Sequence, residues 1–125
     1  ERCVVCFSVD GDFQMNCQEL GTALQSDARP IVLIVNNSTY GTIRMHQEKN
    51  YPSRISGTAL VNPDFVALGK AYGFYSERIE KTEDFVAAFA HALASPTGAI
   101  LDLNVATEAI TPSLTIDDLR QSKTL

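Results

Sequence analysis

Tryptophan is absent from these 125 residues, and cysteine, methionine and basic side chains are scarce. Each shortage excludes something. Three cysteines, Cys3, Cys6 and Cys17, are an odd number and too few for a disulfide framework. Cys3 and Cys6 have C-x-x-C spacing, but they sit in an apolar β run. Residues three apart on a strand point to opposite faces and cannot easily share one metal. They read as buried, reduced core residues, which implies a reducing compartment, expected to be cytoplasmic. Ten Lys and Arg against fifteen Asp and Glu leave a formal charge of −5. That sign disfavours nucleic acid, whose phosphates are held by clustered cations. No apolar run reaches the roughly 20 residues that span a bilayer, so no membrane partner is expected and the chain reads as soluble. The G-x-G-x-x-G, Walker and nucleophile-elbow motifs are also missing, which argues against dinucleotide binding, P-loop hydrolysis and serine hydrolase chemistry. An acidic chain can hold a phosphate only by local devices: main-chain N–H groups, a helix N-terminus or a bridging cation.

What is present is an ordinary globular balance, 45% hydrophobic and 20% charged, at the length of one small domain. Residues 3–9 form a nearly continuous apolar, β-branched run, the pattern of a parallel strand buried on both faces. The run stops at Asp10-Gly11-Asp12, which reads as a turn. Asn16 can cap a helix over about residues 17–28, closed by Arg29-Pro30. A second apolar strand, 31–35, ends at Asn36-Asn37-Ser38, completing a βαβ unit. The polar stretch 39–61 reads as loop. Asn62-Pro63-Asp64 opens the next helix, with Asn62 as cap, Pro63 in the first turn and Gly73 as stop. A short strand at 74–79, a helix from Thr82 and a strand at 99–105 follow. Beyond Thr107 lies a tail with Pro112 and a short helix near 116–122. Alternating strands and helices predict an α/β fold, a three-layer, mostly parallel sheet with helices on both faces. Because the chain enters directly on its best core strand, truncation on the N-terminal side is expected.

The chemistry gathers at the carboxyl ends of the first two strands, where open α/β sheets bind ligands. A carboxylate, an amide oxygen and a loop carbonyl are oxygen ligands, which suit Mg²⁺ together with phosphates. Gly11 lets the backbone approach a diphosphate, and the helix from Asn16 aims its positive end there.

Asp10-Gly11-Asp12-Phe13-Gln14-Met15-Asn16 followed by Asn36-Asn37, with 27 positions from Asp10 to Asn37, resembles the signature of thiamine diphosphate-dependent enzymes. That signature is a Gly-Asp-Gly turn and, after a spacer, Asn-Asn. Tyr40-Gly41-Thr42-Ile43-Arg44-Met45-His46-Gln47-Glu48 and Asn62-Pro63-Asp64-Phe65 look like the acetolactate synthase-like branch. The resemblance implies a C-terminal thiamine diphosphate-binding domain over residues 1–106, with 107–125 as tail. It makes Asp10, Asn37 and the Thr39 carbonyl ligands of Mg²⁺. It sets Asp10, Gly11, Asp12, Asn37, Tyr40 and Gly41 around the thiamine diphosphate. An intact parent would be a lyase or transferase that makes or breaks carbon–carbon bonds in 2-keto acids. The family's activating glutamate belongs to a pyrimidine-binding domain of the same or a partner subunit. This chain therefore carries no catalytic residue, is expected to be inactive alone, and is expected to work in a homo-oligomer.

One position departs from the pattern. Val9 stands where the family has glycine, and a side chain there is expected to weaken cofactor binding if close approach or an unusual φ is needed. His46 reads as a solvated loop histidine, His91 as surface, Glu19 as a helix-dipole partner, and Phe85 with Phe89 as core. A second reading is a truncated or degenerate α/β domain that binds no cofactor and serves as a folding or association unit.

Overall fold

The fold follows from which apolar stripes find a partner. The computed structural model describes residues 2–111 and 113–121. Its strands are β1 (Val5–Val9), β2 (Ile31–Asn36), β3 (Tyr75–Ile79) and β4 (Ala99–Asn104). Its α-helices are α1 (Asp10–Asn16), α2 (Glu19–Gln25), α3 (Gly41–Asn50), α4 (Phe65–Ala71), α5 (Phe85–Ala94) and α6 (Ile116–Gln121). All four strands are parallel, in the order β1-β2-β4-β3. The expected fold class holds, and β2 shows why. Val32 and Ile34 face one core with Phe13, Leu20, Phe65, Phe74 and Ile100. Ile31 and Leu33 face the other, with Ile79, Ala88, Ala92, Ala99 and Leu101. A strand buried on both faces needs this continuous apolar run. Phe13 on α1 meets Phe65 on α4 edge-to-face at 5.6 Å, tying two helices of one layer together and adding about 0.5–1.5 kcal/mol beyond burial. Among the described residues no helix is long and apolar enough to cross a membrane.

Several expectations are corrected. β1 is an edge strand paired only with β2, and its side chains are not buried on both faces: Phe7 is 74% exposed and Val9 44%. An apolar run reports what a strand can bury, not what lies opposite it. Cys3 and Cys6 are accordingly exposed and Cys17 half-buried, all three as free thiols. Asp10-Gly11-Asp12 is the first turn of α1 rather than a turn between elements, with Asp10 and Asp12 favourably placed at the positive end. Asn16 ends α1 instead of capping the next helix. Cys17 and Gln18 keep helical dihedrals and pass the chain through tight i to i+3 bonds into α2.

The stretch expected as loop contains α3, whose apolar stripe is too weak to announce it. Asp64, not Asn62, caps α4, accepting from Val66 N at 3.0 Å and Ala67 N at 3.1 Å, so Pro63 lies outside the helix. Thr82 opens a 3-10 turn that leads into α5 at Phe85. The C-terminal segment folds back: Arg120 on α6 pairs with the buried Glu48 on α3 at 2.6 Å. Glu1, Pro112 and residues 122–125 lie outside the described residues.

Candidate functional site

β1 and β2 end side by side, and the chain leaves each in a different way. Val9 is extended, at φ −86° and ψ 160°, and runs directly into α1. β2 instead enters a turn in which Ser38 takes a left-handed φ of 55°. That turn is pinned from three sides. Thr39 N donates to Asn37 Oδ1 at 3.1 Å, and Thr107 Oγ1 donates to the Asn37 carbonyl at 2.9 Å. A short antiparallel bridge from Thr39 to Ala59 holds it from the far side, with Thr39 Oγ1 donating to the Thr58 carbonyl at 2.8 Å.

Asp10 meets this turn. Its carboxylate is fully buried and accepts three N–H groups: Gly11 N to Oδ1 at 3.0 Å, Ser38 N to Oδ2 at 2.8 Å and Asn62 Nδ2 to Oδ2 at 2.7 Å. Among the described residues no Lys, Arg or His pairs with it. A buried carboxylate with neutral donors alone keeps its charge uncompensated, a costly arrangement unless a cation arrives. No group of three His, Cys, Asp or Glu side chains suited to a metal occurs among the described residues. The oxygen set here is of another composition. Asp10 contributes a carboxylate and Asn37 an amide oxygen, while no hydrogen bond among the described residues ends on the Thr39 carbonyl. One carboxylate with neutral oxygens fits a hard divalent cation whose remaining positions are filled by phosphate.

The glycines explain the closeness of the parts. A Cβ on Gly11 would collide with the Tyr40 ring, whose Cδ1 would be 2.9 Å away, so this glycine makes room for an aromatic ring. A Cβ on Gly41 would stand 3.2 Å from Asn37 Nδ2. α3 therefore starts against the Asn37 side chain, with its first N–H groups beside the turn. This helix, rather than one from Asn16, supplies a positive end of ten residues. The Asp12 side chain points elsewhere, lining an open hollow with Cys6, Ser8 and Asn16.

The sequence placed Asn36 at the site without a role, and it gave Arg78, Asp102 and Gln14 no place there. Asn36 turns inward, accepting from Asn62 Nδ2 at 2.9 Å and donating to the buried Asp102 at 2.9 Å. Arg78 Nε closes that end on Asp102 at 3.0 Å, which holds the guanidinium pKa above its usual value. Gln14 donates to Asn62 Oδ1 at 2.8 Å. A signal for Asn62 existed: Asn62 and Asp64 both qualify as cap for one helix, and only one can serve. His46 is exposed on α3, and His91 is exposed beside Tyr75. Glu19 is exposed and accepts from Thr22 Oγ1 at 2.7 Å. Phe85 and Phe89 stack at 5.6 Å against the second core, half-buried.

Comparison with known proteins gives the family of the domain. Residues 1–103 match the family described as thiamine pyrophosphate enzyme, C-terminal TPP binding domain. The acetolactate synthase large subunit of Parasynechococcus marenigrum (strain WH8102) is 38% identical over 107 residues, covering 84% of this chain and 17% of that protein. Acetolactate synthase isozyme 2 large subunit of Escherichia coli (strain K12) is 34% identical over 103 residues, covering 82% and 19%. Among solved structures, benzoylformate decarboxylase from Polynucleobacter necessarius superposes with a TM-score of 0.77 at 29% identity, covering 86% of this chain and 20% of that one. The thiamine diphosphate-dependent 4-hydroxybenzoylformate decarboxylase of Rhodococcus jostii RHA1 gives 0.77 at 27%, covering 85% and 20%. The chain thus spans about a fifth of the length of these relatives.

Proposed function

The chain belongs to the C-terminal TPP-binding domain family of thiamine pyrophosphate enzymes, and on that premise we propose that it holds the diphosphate and Mg²⁺ of thiamine diphosphate. The parent activity would be acetolactate synthase-like, acting on 2-keto acids. The observation that carries the reading is Asp10, a buried carboxylate that accepts from the β2 turn, with three N–H donors and, among the described residues, no Lys, Arg or His paired to it. Asp10 Oδ1, Asn37 Oδ1 and the Thr39 carbonyl would bind Mg²⁺. The diphosphate would rest on main-chain N–H groups of Asp12 and of the α3 start at Gly41, beside Tyr40. There it meets a helix's positive end, and the cation offsets the surrounding acidity. When bound, thiamine diphosphate supplies a thiazolium carbon that adds to the carbonyl of a 2-keto acid.

This chain's part is to grip and orient that cofactor. Proton transfer at the aminopyrimidine would come from a pyrimidine-binding domain of the same or a partner subunit, within a homo-oligomer. The three free thiols accord with a reducing, cytoplasmic setting. The rival reading, a domain serving only folding or association, is favoured by the bare face of β1, where Val5, Phe7 and Val9 are exposed. Calorimetric titration of thiamine diphosphate into the chain decides between them. Heat of binding that requires Mg²⁺ and vanishes with a chelator supports the cofactor reading. No heat at millimolar cofactor would leave the folding-unit reading standing.

A further inference from the structure

Asn62 makes no contact that α4 requires, because Asp64 already caps that helix. Its amide is nevertheless fully used. Nδ2 donates to Asp10 Oδ2 at 2.7 Å and to Asn36 Oδ1 at 2.9 Å, and Oδ1 accepts from Gln14 Nε2 at 2.8 Å. The direction of every amide in this chain of bonds is determined, because carboxylates stand at both ends and can only accept. Asp10 forces Asn62 to present nitrogen, and Asp102 forces the same of Asn36. Arg78 anchors Asp102, so the network reaches rigidly from β3 and β4 to the β1 terminus.

The consequence falls on the two oxygens of Asp10. Oδ2 receives two donors, Ser38 N and Asn62 Nδ2, which occupy both of its lone-pair directions. Oδ1 receives only Gly11 N and keeps one direction open. We infer that Asn62 is a positioning residue that makes Asp10 a one-oxygen metal ligand and thereby selects Mg²⁺ over Ca²⁺. The inference rests on the magnesium reading proposed above. Mg²⁺ demands near-octahedral single-oxygen contacts at about 2.0–2.1 Å, whereas Ca²⁺ accepts both oxygens of a carboxylate at about 2.3–2.6 Å. An Oδ2 closed by Asn62 denies Ca²⁺ its preferred bidentate contact. Removing the amide leaves Ser38 N on Oδ2 and opens one of its two directions to the metal.

The test is a pair of calorimetric titrations, Mg²⁺ and separately Ca²⁺, into the chain with thiamine diphosphate present in excess. Native protein is compared with Asn62→Ala and Gln14→Ala, with folding checked by circular dichroism. Asn62→Ala is expected to weaken Mg²⁺ about 10–100-fold, the usual cost of losing a group that orients a ligand, while Ca²⁺ binding holds or tightens. Gln14→Ala, which only unfastens the Asn62 amide, moves the Mg²⁺/Ca²⁺ ratio the same way by less, and decides the matter if Asn62→Ala does not fold. Equal weakening of both metals, or an unmoved ratio, overturns the inference while leaving the magnesium reading intact. Native protein that binds neither metal overturns the magnesium reading and this inference together.

Discussion

Among the described residues three carboxylates are fully buried, Asp10, Glu48 and Asp102, and they are served in two different ways. Glu48 and Asp102 each have an arginine, Arg120 at 2.6 Å and Arg78 at 3.0 Å. Among the described residues Asp10 has only N–H groups of neutral residues. Burying an unpaired charge is expensive, and a paired one much less so. The paired carboxylates are structural: one clamps α6 onto α3, the other fastens β3 to β4. Asp10 is organised like a ligand, its donors fixing direction without neutralising charge. The Mg²⁺ proposed above would supply the charge that Asp10 lacks.

The comparison can be broken most forcefully at Asp102. Replacing it by Ala leaves Asn36 Nδ2 without its acceptor and Arg78 with Asp64 alone, at 3.1 Å. Arg78 keeps solvent access, so the expected loss is about 3 kcal/mol by urea denaturation, the low end for a broken buried pair. Next comes the ligand response. At a cofactor and Mg²⁺ concentration one hundred times Kd, native protein gains about 2.7 kcal/mol, whereas Asp10→Asn, with no full carboxylate for the cation, gains none. If Asp102→Ala proved harmless, or Asp10→Asn responded like native protein, the division between structural and ligand carboxylates would fail.

A gentler probe is pH. The Arg120 hydrogen bond holds the Glu48 pKa below its usual 4.5 despite burial. A depressed folded-state pKa means stabilisation that is complete above the unfolded value and is lost as pH falls through the folded one. Urea midpoints should therefore drop more steeply below about pH 4.5 in native protein than in Glu48→Gln. Parallel profiles would remove Glu48 from the structural pair. The smallest effect is expected at Val9. Its extended φ of −86° needs no glycine, so Val9→Gly should cost only about 0.5–1 kcal/mol of strand stability. Cofactor affinity should move by less than about threefold; a large gain would mean that the side chain obstructs the diphosphate.

The sheet was legible because β2 is apolar from Ile31 to Val35 and β4 opens with Ala99, Ile100 and Leu101, as strands buried on both faces require. Asp10, Asn37, Thr39 and Tyr40 came as a set from the family resemblance; in the fold Asp10 accepts from Ser38 N in the β2 turn, and Gly11 lies against the Tyr40 ring. What was hidden depended on partners rather than pattern. The exposure of β1 is decided by its place at the edge, which Val5, Phe7 and Val9 do not announce. α3 was missed because Arg44, His46, Gln47, Glu48 and Lys49 make it polar almost all round, its burial resting on one acid paired to a distant arginine. Asn62 looked like a helix cap because its true partners, Asp10 and Asn36, lie 52 and 26 positions away.

The most direct test is a crystal of this chain grown with thiamine diphosphate and Mn²⁺ in place of Mg²⁺, with the ion located by its anomalous signal. The expected result is a peak bonded to Asp10 Oδ1, Asn37 Oδ1 and the Thr39 carbonyl at about 2.0–2.2 Å, with Asp10 Oδ2 still accepting from Ser38 and Asn62. Bound cofactor with no peak at Asp10, or an ion held through other residues, would contradict the account.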